Sequence, residues 1–150
     1  GKPGSTLGSW MALPWRGPQH IIMPGFSTSA ATALKTRNYG DDLFITSCSL
    51  MAAGAKTVLV SRWVVGGKTS LDLTREFTSQ LPNWSATKAW KRAGKIVSEA
   101  EIDPEGESRI KSGQTSEAIK GSHPFFWSGY ILIDAGKAKA KKAEKPEEEK

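Results

Sequence analysis

The apolar run over residues 57–65 constrains the fold of this chain more than any other segment does. Its centre, Val58-Leu59-Val60, is short and rich in β-branched side chains, which is typical of a buried strand. Gly54 precedes the run and Gly66-Gly67 follows it, and glycines at such positions end one element before the next begins. Since a buried strand needs neighbouring strands and covering helices, the sequence predicts an α/β protein.

Two further strands and three helices are predicted around this strand. The strands cover residues 20–23 and 125–133, and the helices cover residues 43–53, 69–81 and 86–100. The order is strand, helix, strand, two helices, strand, which predicts a mostly parallel sheet. Because three strands leave an exposed sheet edge, we expect the sheet to be incomplete on its N-terminal side.

Several local signals mark where the helices should begin and end. Gly54 is expected to stop the first helix in a left-handed conformation. Thr69, followed by Asp72 three residues later, predicts a variant of the capping box at the start of the second helix. Ser85 is predicted to cap the third helix. A short helical turn is expected around residues 116–120, inside an otherwise polar loop.

The composition divides the chain into three segments. Residues 1–19 hold glycines, prolines and tryptophans and are predicted to form a loop that connects to an upstream half. Residues 20–134 contain the predicted strands and helices. Residues 135–150 consist mainly of lysine, alanine and glutamate without a large apolar side chain. This last segment cannot bury a core and is predicted to be a disordered tail.

The net charge of +6 raises the question of a nucleic-acid partner. The lysines of the tail are accompanied by glutamates, which argues against a segment that follows a phosphate backbone. The apolar runs are too short to cross a bilayer, and the start of the chain lacks the pattern of a signal peptide. We therefore expect a cytoplasmic protein without a membrane contact, with nucleic-acid binding by the basic tail as an alternative.

The sequence contains few residues that could bind a metal or act as a reactive thiol. Cys48 is the single cysteine, which excludes an internal disulfide and a multi-cysteine zinc site, so no metal and no cofactor are expected. Its place within a helix, beside Leu50 and Met51, predicts a small core residue rather than a reactive thiol. His20 and His123 each precede a predicted strand, where packing or capping is expected.

Gly67-Lys68-Thr69 lies between a strand and a helix, as the end of a phosphate-binding P-loop does. That motif reads G-x-x-x-x-G-K-[ST], and its first glycine would fall at Arg62. Arg62 belongs to the predicted strand, which leaves no room for the loop of backbone amides that binds phosphates. Nucleotide binding is therefore not predicted.

Three stretches resemble the C-terminal half of a CHAT domain, a caspase- and separase-related family often found beside tetratricopeptide repeats. They are residues 21–28 (IIMPGFST), 51–63 (MAAGAKTVLVSRW) and 123–130 (HPFFWSGY), and they occur in the family's order. The resemblance covers about residues 20–134. It implies a partial caspase-like three-layer α/β/α sandwich, with protein or peptide partners and a tetratricopeptide-repeat region as a candidate neighbour in the same parent chain.

Active members of that family are cysteine peptidases in which a histidine follows one strand and a cysteine follows the next. At the matched turn Phe26 occupies the place of the cysteine, and a phenylalanine cannot act as a nucleophile. Ser27 is one residue away and Cys48 lies in another segment, so both are secondary alternatives. The histidine's segment would lie upstream of Gly1.

Many family members carry acidic residues after the tryptophan that matches Trp63. Gly66 and Gly67 stand there in this chain, so these three residues are candidates for a substrate pocket that provides no charge for arginine or lysine. The resemblance therefore predicts a catalytically inactive, pseudopeptidase module for protein interaction or regulation. The alternative is an active cysteine endopeptidase whose catalytic residues lie partly upstream or in another register.

Overall fold

The structure is a computed structural model and describes residues 7–26, 39–62, 65–108, 110 and 119–136. Within these ranges the helices are α1 (Leu7–Met11), α2 (Tyr39–Ala52), α3 (Lys68–Gln80) and α4 (Ala86–Glu99). The strands are β1 (His20–Met23), β2 (Thr57–Ser61), β3 (Glu101–Ile102), β4 (Ile119–Lys120) and β5 (Tyr130–Asp134).

The main sheet has the order β1-β2-β5, with β2 in the centre. β1 pairs with β2 in parallel, and β5 pairs with β2 antiparallel. The prediction of a mostly parallel sheet is therefore wrong for these strands. Strand direction left no signal in the sequence, because a short apolar run reads the same in either orientation.

Two hydrophobic clusters pack against alternate residues of β2. Val58 and Val60 belong to one cluster, together with Leu50 of α2. Leu59 belongs to the other, together with Phe77 of α3 and residues of α4. Since neighbouring side chains of a strand point to opposite faces, α2 covers one face of the sheet and the pair α3–α4 covers the other. All five residues of β2 are buried, as its composition predicts.

Aromatic side chains join α3, α4 and β5 in the second cluster. The ring of Trp90 in α4 meets the rings of Phe77 in α3 and Tyr130 in β5 edge-on, each with a centroid distance of 5.5 Å. Such edge-to-face pairs add about 0.5–1.5 kcal/mol each beyond the burial of their area. The spacing of Leu73, Phe77 and Leu81 by four positions predicts a packing stripe on α3. Leu73 and Phe77 are fully buried, as predicted, and Leu81 is half-buried just beyond the helix.

The ends of the helices agree only in part with the capping signals. Ser85 caps α4 and accepts a hydrogen bond from the backbone N–H of Lys88, as predicted. Gly54 follows α2 with φ +105°, in the conformation that favours glycine. The prediction that Thr69 caps α3 is wrong, because the helix starts at Lys68 and its cap position is Gly67.

Other predicted boundaries are also corrected. The short helix α1 lies in the segment that was expected to be a loop. Lys120 and Ile119 form the strand β4, which pairs with β3, where a helical turn was expected. The last strand begins at Tyr130 rather than at residue 125, because Pro124 starts a 3-10 turn that ends at Phe126. Proline suits the first position of such a turn, because its φ is fixed near the helical value and its missing N–H is not needed there.

Candidate functional site

The turn that follows β1 holds the residue matched to the family's nucleophile. The backbone N–H of Phe26 donates to the carbonyl of Met23 over 3.1 Å, which closes a turn around Pro24 and Gly25. In sheets with parallel strands, functional groups gather at the carboxyl ends of those strands. The Phe26 turn therefore lies where a catalytic residue of this architecture would be presented.

Ser61 ties this turn to the neighbouring strand. It is the last residue of β2 and is buried. Its hydroxyl donates to the carbonyl oxygen of Phe26 over 2.5 Å. Because β1 and β2 run in parallel, their carboxyl ends meet at the same edge, and this hydrogen bond sets the position of the turn relative to the sheet. Sequence reasoning missed Ser61, although its place at the end of the strand run could have marked it.

The side chain of Phe26 serves packing. It is half-buried and lies against the cluster formed by Val58, Val60 and Leu50. A nucleophile has to face the substrate from an open position, whereas this ring extends the apolar core on the α2 side of the sheet. Ser27, the secondary alternative at this turn, lies outside the described residues.

Of the candidate pocket residues, Trp63 also lies outside the described part of the chain. Gly66 and Gly67 precede α3 and are half-buried. A Cβ atom on Gly66 would approach Oγ of Ser108 to 3.3 Å. Gly67 has φ +88°, which a side chain at that position would strain. The two glycines therefore bring the 107–108 segment close to the start of α3.

Glu107 places a buried carboxylate beside these glycines. Only 1% of its surface is exposed. Its Oε1 accepts hydrogen bonds from the backbone N–H of Thr69, over 2.7 Å, and from the Thr69 hydroxyl. It thereby caps the N-terminus of α3, where the helix dipole favours a negative charge. Gly66 and Gly67 have no side chain that could carry a charge, but another segment brings an acid to the same place.

No pattern in the sequence marked Glu107. It follows a 3-10 turn, Pro104–Gly106, within a polar stretch whose carboxylates all resemble surface residues. Only the tertiary approach of this stretch to α3 distinguishes Glu107 from its exposed neighbour Glu105.

A groove of about 370 Å³ runs between α3, the end of α4 and β3. Val97 and Ile102 are buried in its floor, and Glu107 lies at one end. Charged side chains of both signs line its rim: Lys68, Asp72, Arg75, Glu76, Glu101 and Asp103. Its volume lies near the lower end of the range that is typical of ligand pockets.

The prediction that Cys48 is a small core residue is wrong, because its side chain is exposed. The inner face of α2 is occupied by Ser47 and Leu50, which are buried, and this turns Cys48 outward. Asp41 and Asp42 lie in the first turn of the helix, where the helix dipole favours a negative charge. The helix begins earlier than predicted, at Tyr39.

Within the part of the chain that the structure describes, the two histidines take part in other contacts. His20 begins β1 and is exposed, at the opposite end of the strand from the Phe26 turn. Nδ1 of His123 accepts a hydrogen bond from the backbone N–H of Phe125 over 3.2 Å, which caps the 3-10 turn there. The capping role predicted for His123 is confirmed.

Within the described ranges, no group of three or more His, Cys, Asp or Glu side chains could hold a metal ion. In the same part of the chain, no helix combines the length and the apolar character needed to cross a membrane.

The comparison with known families agrees with these features. The family model described as CHAT domain matches residues 7–135, which is most of the chain. The match includes α1 and reaches the end of β5, so it covers the Phe26 turn, Ser61 and Glu107. No curated protein and no solved structure matches the chain.

Proposed function

Since the chain belongs to the CHAT-domain family, whose members are caspase-like, we propose that it forms the C-terminal half of a caspase-like module that binds peptide or protein segments without cleaving them. The small mixed sheet with helices on both faces supports a place within a three-layer α/β/α sandwich. The remaining strands of that sandwich would extend the sheet beyond β1.

One observation carries this proposal: Phe26, which the sequence resemblance aligns with the family's nucleophile, packs its side chain against the core. A peptidase of this family needs a thiolate at this turn and a base within reach of it. Phe26 offers no group that can attack a carbonyl. The hydrogen bond from Ser61 holds the backbone of the turn, which supports a turn that is kept in place without a nucleophile.

The binding role is supported by the groove beside α3. A buried apolar floor with a charged rim is a suitable shape for one or two side chains of an extended peptide. Glu107 holds one end of this groove in place through its hydrogen bonds to Thr69. We propose cytoplasmic protein partners, among them a tetratricopeptide-repeat region of the same parent chain.

The test is an assay of the chain on a mixed peptide library that records both cleavage and retention. The proposed function predicts retention of some peptides and no cleavage by the chain or by its Cys48→Ala variant. Cleavage that disappears in Cys48→Ala would overturn the proposal, because the exposed thiol would then be the nucleophile. Retention should fall in Asp72→Lys, on the rim of the groove, and should persist in Lys91→Glu, an exposed change on α4 outside the groove.

A further inference from the structure

The outer face of α2 carries large apolar side chains. Phe44 is 69% exposed and Ile45 is 50% exposed, and Cys48 is exposed one turn further along. The inner face of the same helix buries two hydroxyl residues, Thr46 and Ser47. Leu50 is buried on that inner face as well, where a surface helix ordinarily keeps its apolar residues. Phe44 and Ile45 are therefore apolar side chains of α2 that the sheet does not cover.

Phe44, Ile45 and Cys48 form one continuous surface, which we call the α2 outer face. Residues three and four positions apart on a helix are neighbours on its surface, so Cys48 lies beside both Ile45 and Phe44. Leu71 of α3 and Ile96 of α4 are also exposed, but each is a single apolar residue on its own helix, which is common on protein surfaces. A contiguous apolar surface, by contrast, marks a place of contact.

The two ends of the α2 outer face carry opposite charges. The exposed Asp41 lies in the first turn of the helix. At the other end, Gly54 lies so close to Gly17 that a Cβ atom on it would be 3.0 Å from the Gly17 Cα. This contact places the neighbouring residue, the exposed Arg16, beside the C-terminal end of the helix.

The sizes of the side chains are also distributed unequally along this face. The bulky Phe44 lies near its acidic end, and the exposed Ala52 lies eight positions later, near its basic end. Cys48 is midway between them. An antiparallel partner of the same sequence would place its Ala52 against Phe44 and its Arg16 towards Asp41. Phe44 of each copy would then meet Ala52 of the other copy, and such reciprocal contacts define an interface with twofold symmetry.

We infer that the α2 outer face binds a second copy of this chain, with two α2 helices antiparallel and Cys48 near the twofold axis. The opposite charges at the two ends select the antiparallel orientation, because a parallel pair would bring the two Asp41 carboxylates together. The apolar centre supplies the attraction.

Sedimentation of the full chain over a range of concentrations tests this inference. We expect a monomer–dimer equilibrium whose dissociation constant rises about tenfold or more in Phe44→Lys, since a central apolar side chain dominates such interfaces. The matched control is Leu71→Lys, which replaces another exposed apolar residue, on α3, and should leave the equilibrium unchanged. Because both side chains are exposed, circular dichroism should show both variants folded.

Two further measurements fix the geometry. A short bismaleimide should link the chains through Cys48 in the dimer, and Phe44→Lys should abolish this product. Asp41→Arg and Arg16→Asp should each weaken the dimer, and the double variant should restore it, because the exchanged charges meet again across the axis. A chain that stays monomeric at every concentration would overturn the inference. Three results on a dimer would overturn it as well. Leu71→Lys could weaken the dimer as much as Phe44→Lys does, the bismaleimide could form no link at Cys48, or the double charge variant could fail to restore the dimer.

Discussion

The carboxylate of Glu107 occupies the space that a side chain on Gly67 would need. A Cβ atom on Gly67 would lie 2.8 Å from Cδ of Glu107 and would collide with its Oε2. The glycine and the acid, 40 positions apart in the numbering, therefore form a matched pair: one leaves room, and the other fills it and caps α3.

Gly67→Ala should destabilise the fold by more than about 2 kcal/mol. The new methyl group meets the Glu107 carboxylate, and φ +88° adds strain for any residue with a Cβ atom. Gly94→Ala is the control, because Gly94 lies in α4 with open space around it and should gain about 0.5–1 kcal/mol in helix stability. Urea denaturation midpoints measure both. If Gly67→Ala shifted the midpoint in the same way as Gly94→Ala, the Glu107 carboxylate would be moving aside at little cost in free energy, which would contradict the prediction.

Glu107→Ala should cost about 1–3 kcal/mol, because it leaves the backbone N–H of Thr69 and its hydroxyl buried without their acceptor. Glu105→Ala, in the preceding 3-10 turn, removes an exposed carboxylate and should change the unfolding free energy by less than about 0.5 kcal/mol. The comparison is made by thermal unfolding of the two variants. If Glu107→Ala left the unfolding free energy unchanged, water would be accepting the hydrogen bonds of Thr69 as well as the carboxylate does.

Ser61→Ala should cost about 1–3 kcal/mol and should loosen the Phe26 turn. The change removes the donor that the Phe26 carbonyl uses, at a buried position. Amide hydrogen exchange of Phe26, whose N–H is bonded to Met23, should accelerate. Ser79→Ala on the exposed side of α3 serves as the control. If exchange at Phe26 is unaltered, the turn is held by its own hydrogen bond alone.

Phe26→Cys should destabilise the fold by about 1–2 kcal/mol, because a half-buried ring is lost from the cluster around Leu50. Restoring a thiol at this turn should therefore weaken the fold rather than leave it neutral. Phe125→Cys, which replaces an exposed ring, is the matched comparison and should cost less. A Phe26→Cys variant as stable as the parent chain would show that the ring contributes little packing.

Much of the fold was predictable from local patterns. The apolar run around Val58 identified the central strand, and the spacing of Leu73 and Phe77 identified the buried face of α3. These signals are strong because burial at a fixed period acts on every residue of an element. The capping serine at the start of α4 was predictable for a similar reason, since its hydrogen bond is local.

The features that the sequence did not reveal depend on contacts between distant segments. The antiparallel direction of β5, the strand β4 and the approach of Glu107 to α3 each follow from tertiary packing. Cys48 was misplaced because small residues give α2 little contrast between its faces, and Ser47 rather than Cys48 turned out to be buried. In the candidate site, the substitution at Phe26 was readable from the motif, whereas the hydrogen bond from Ser61 was not.

The central position of β2 has a consequence for how the chain is made. Its partner β5 is joined to it by pairs such as Thr57 and Asp134, whose side chains hydrogen-bond over 3.1 Å across 77 positions. A ribosome releases residues in order, so one edge of β2 stays unpaired until almost the whole matched region has been synthesised. Closing so long a loop is also slow compared with forming the local helices. The helices α3 and α4 can thus associate during translation, while the sheet that they cover is completed only after residue 134 has left the exit tunnel.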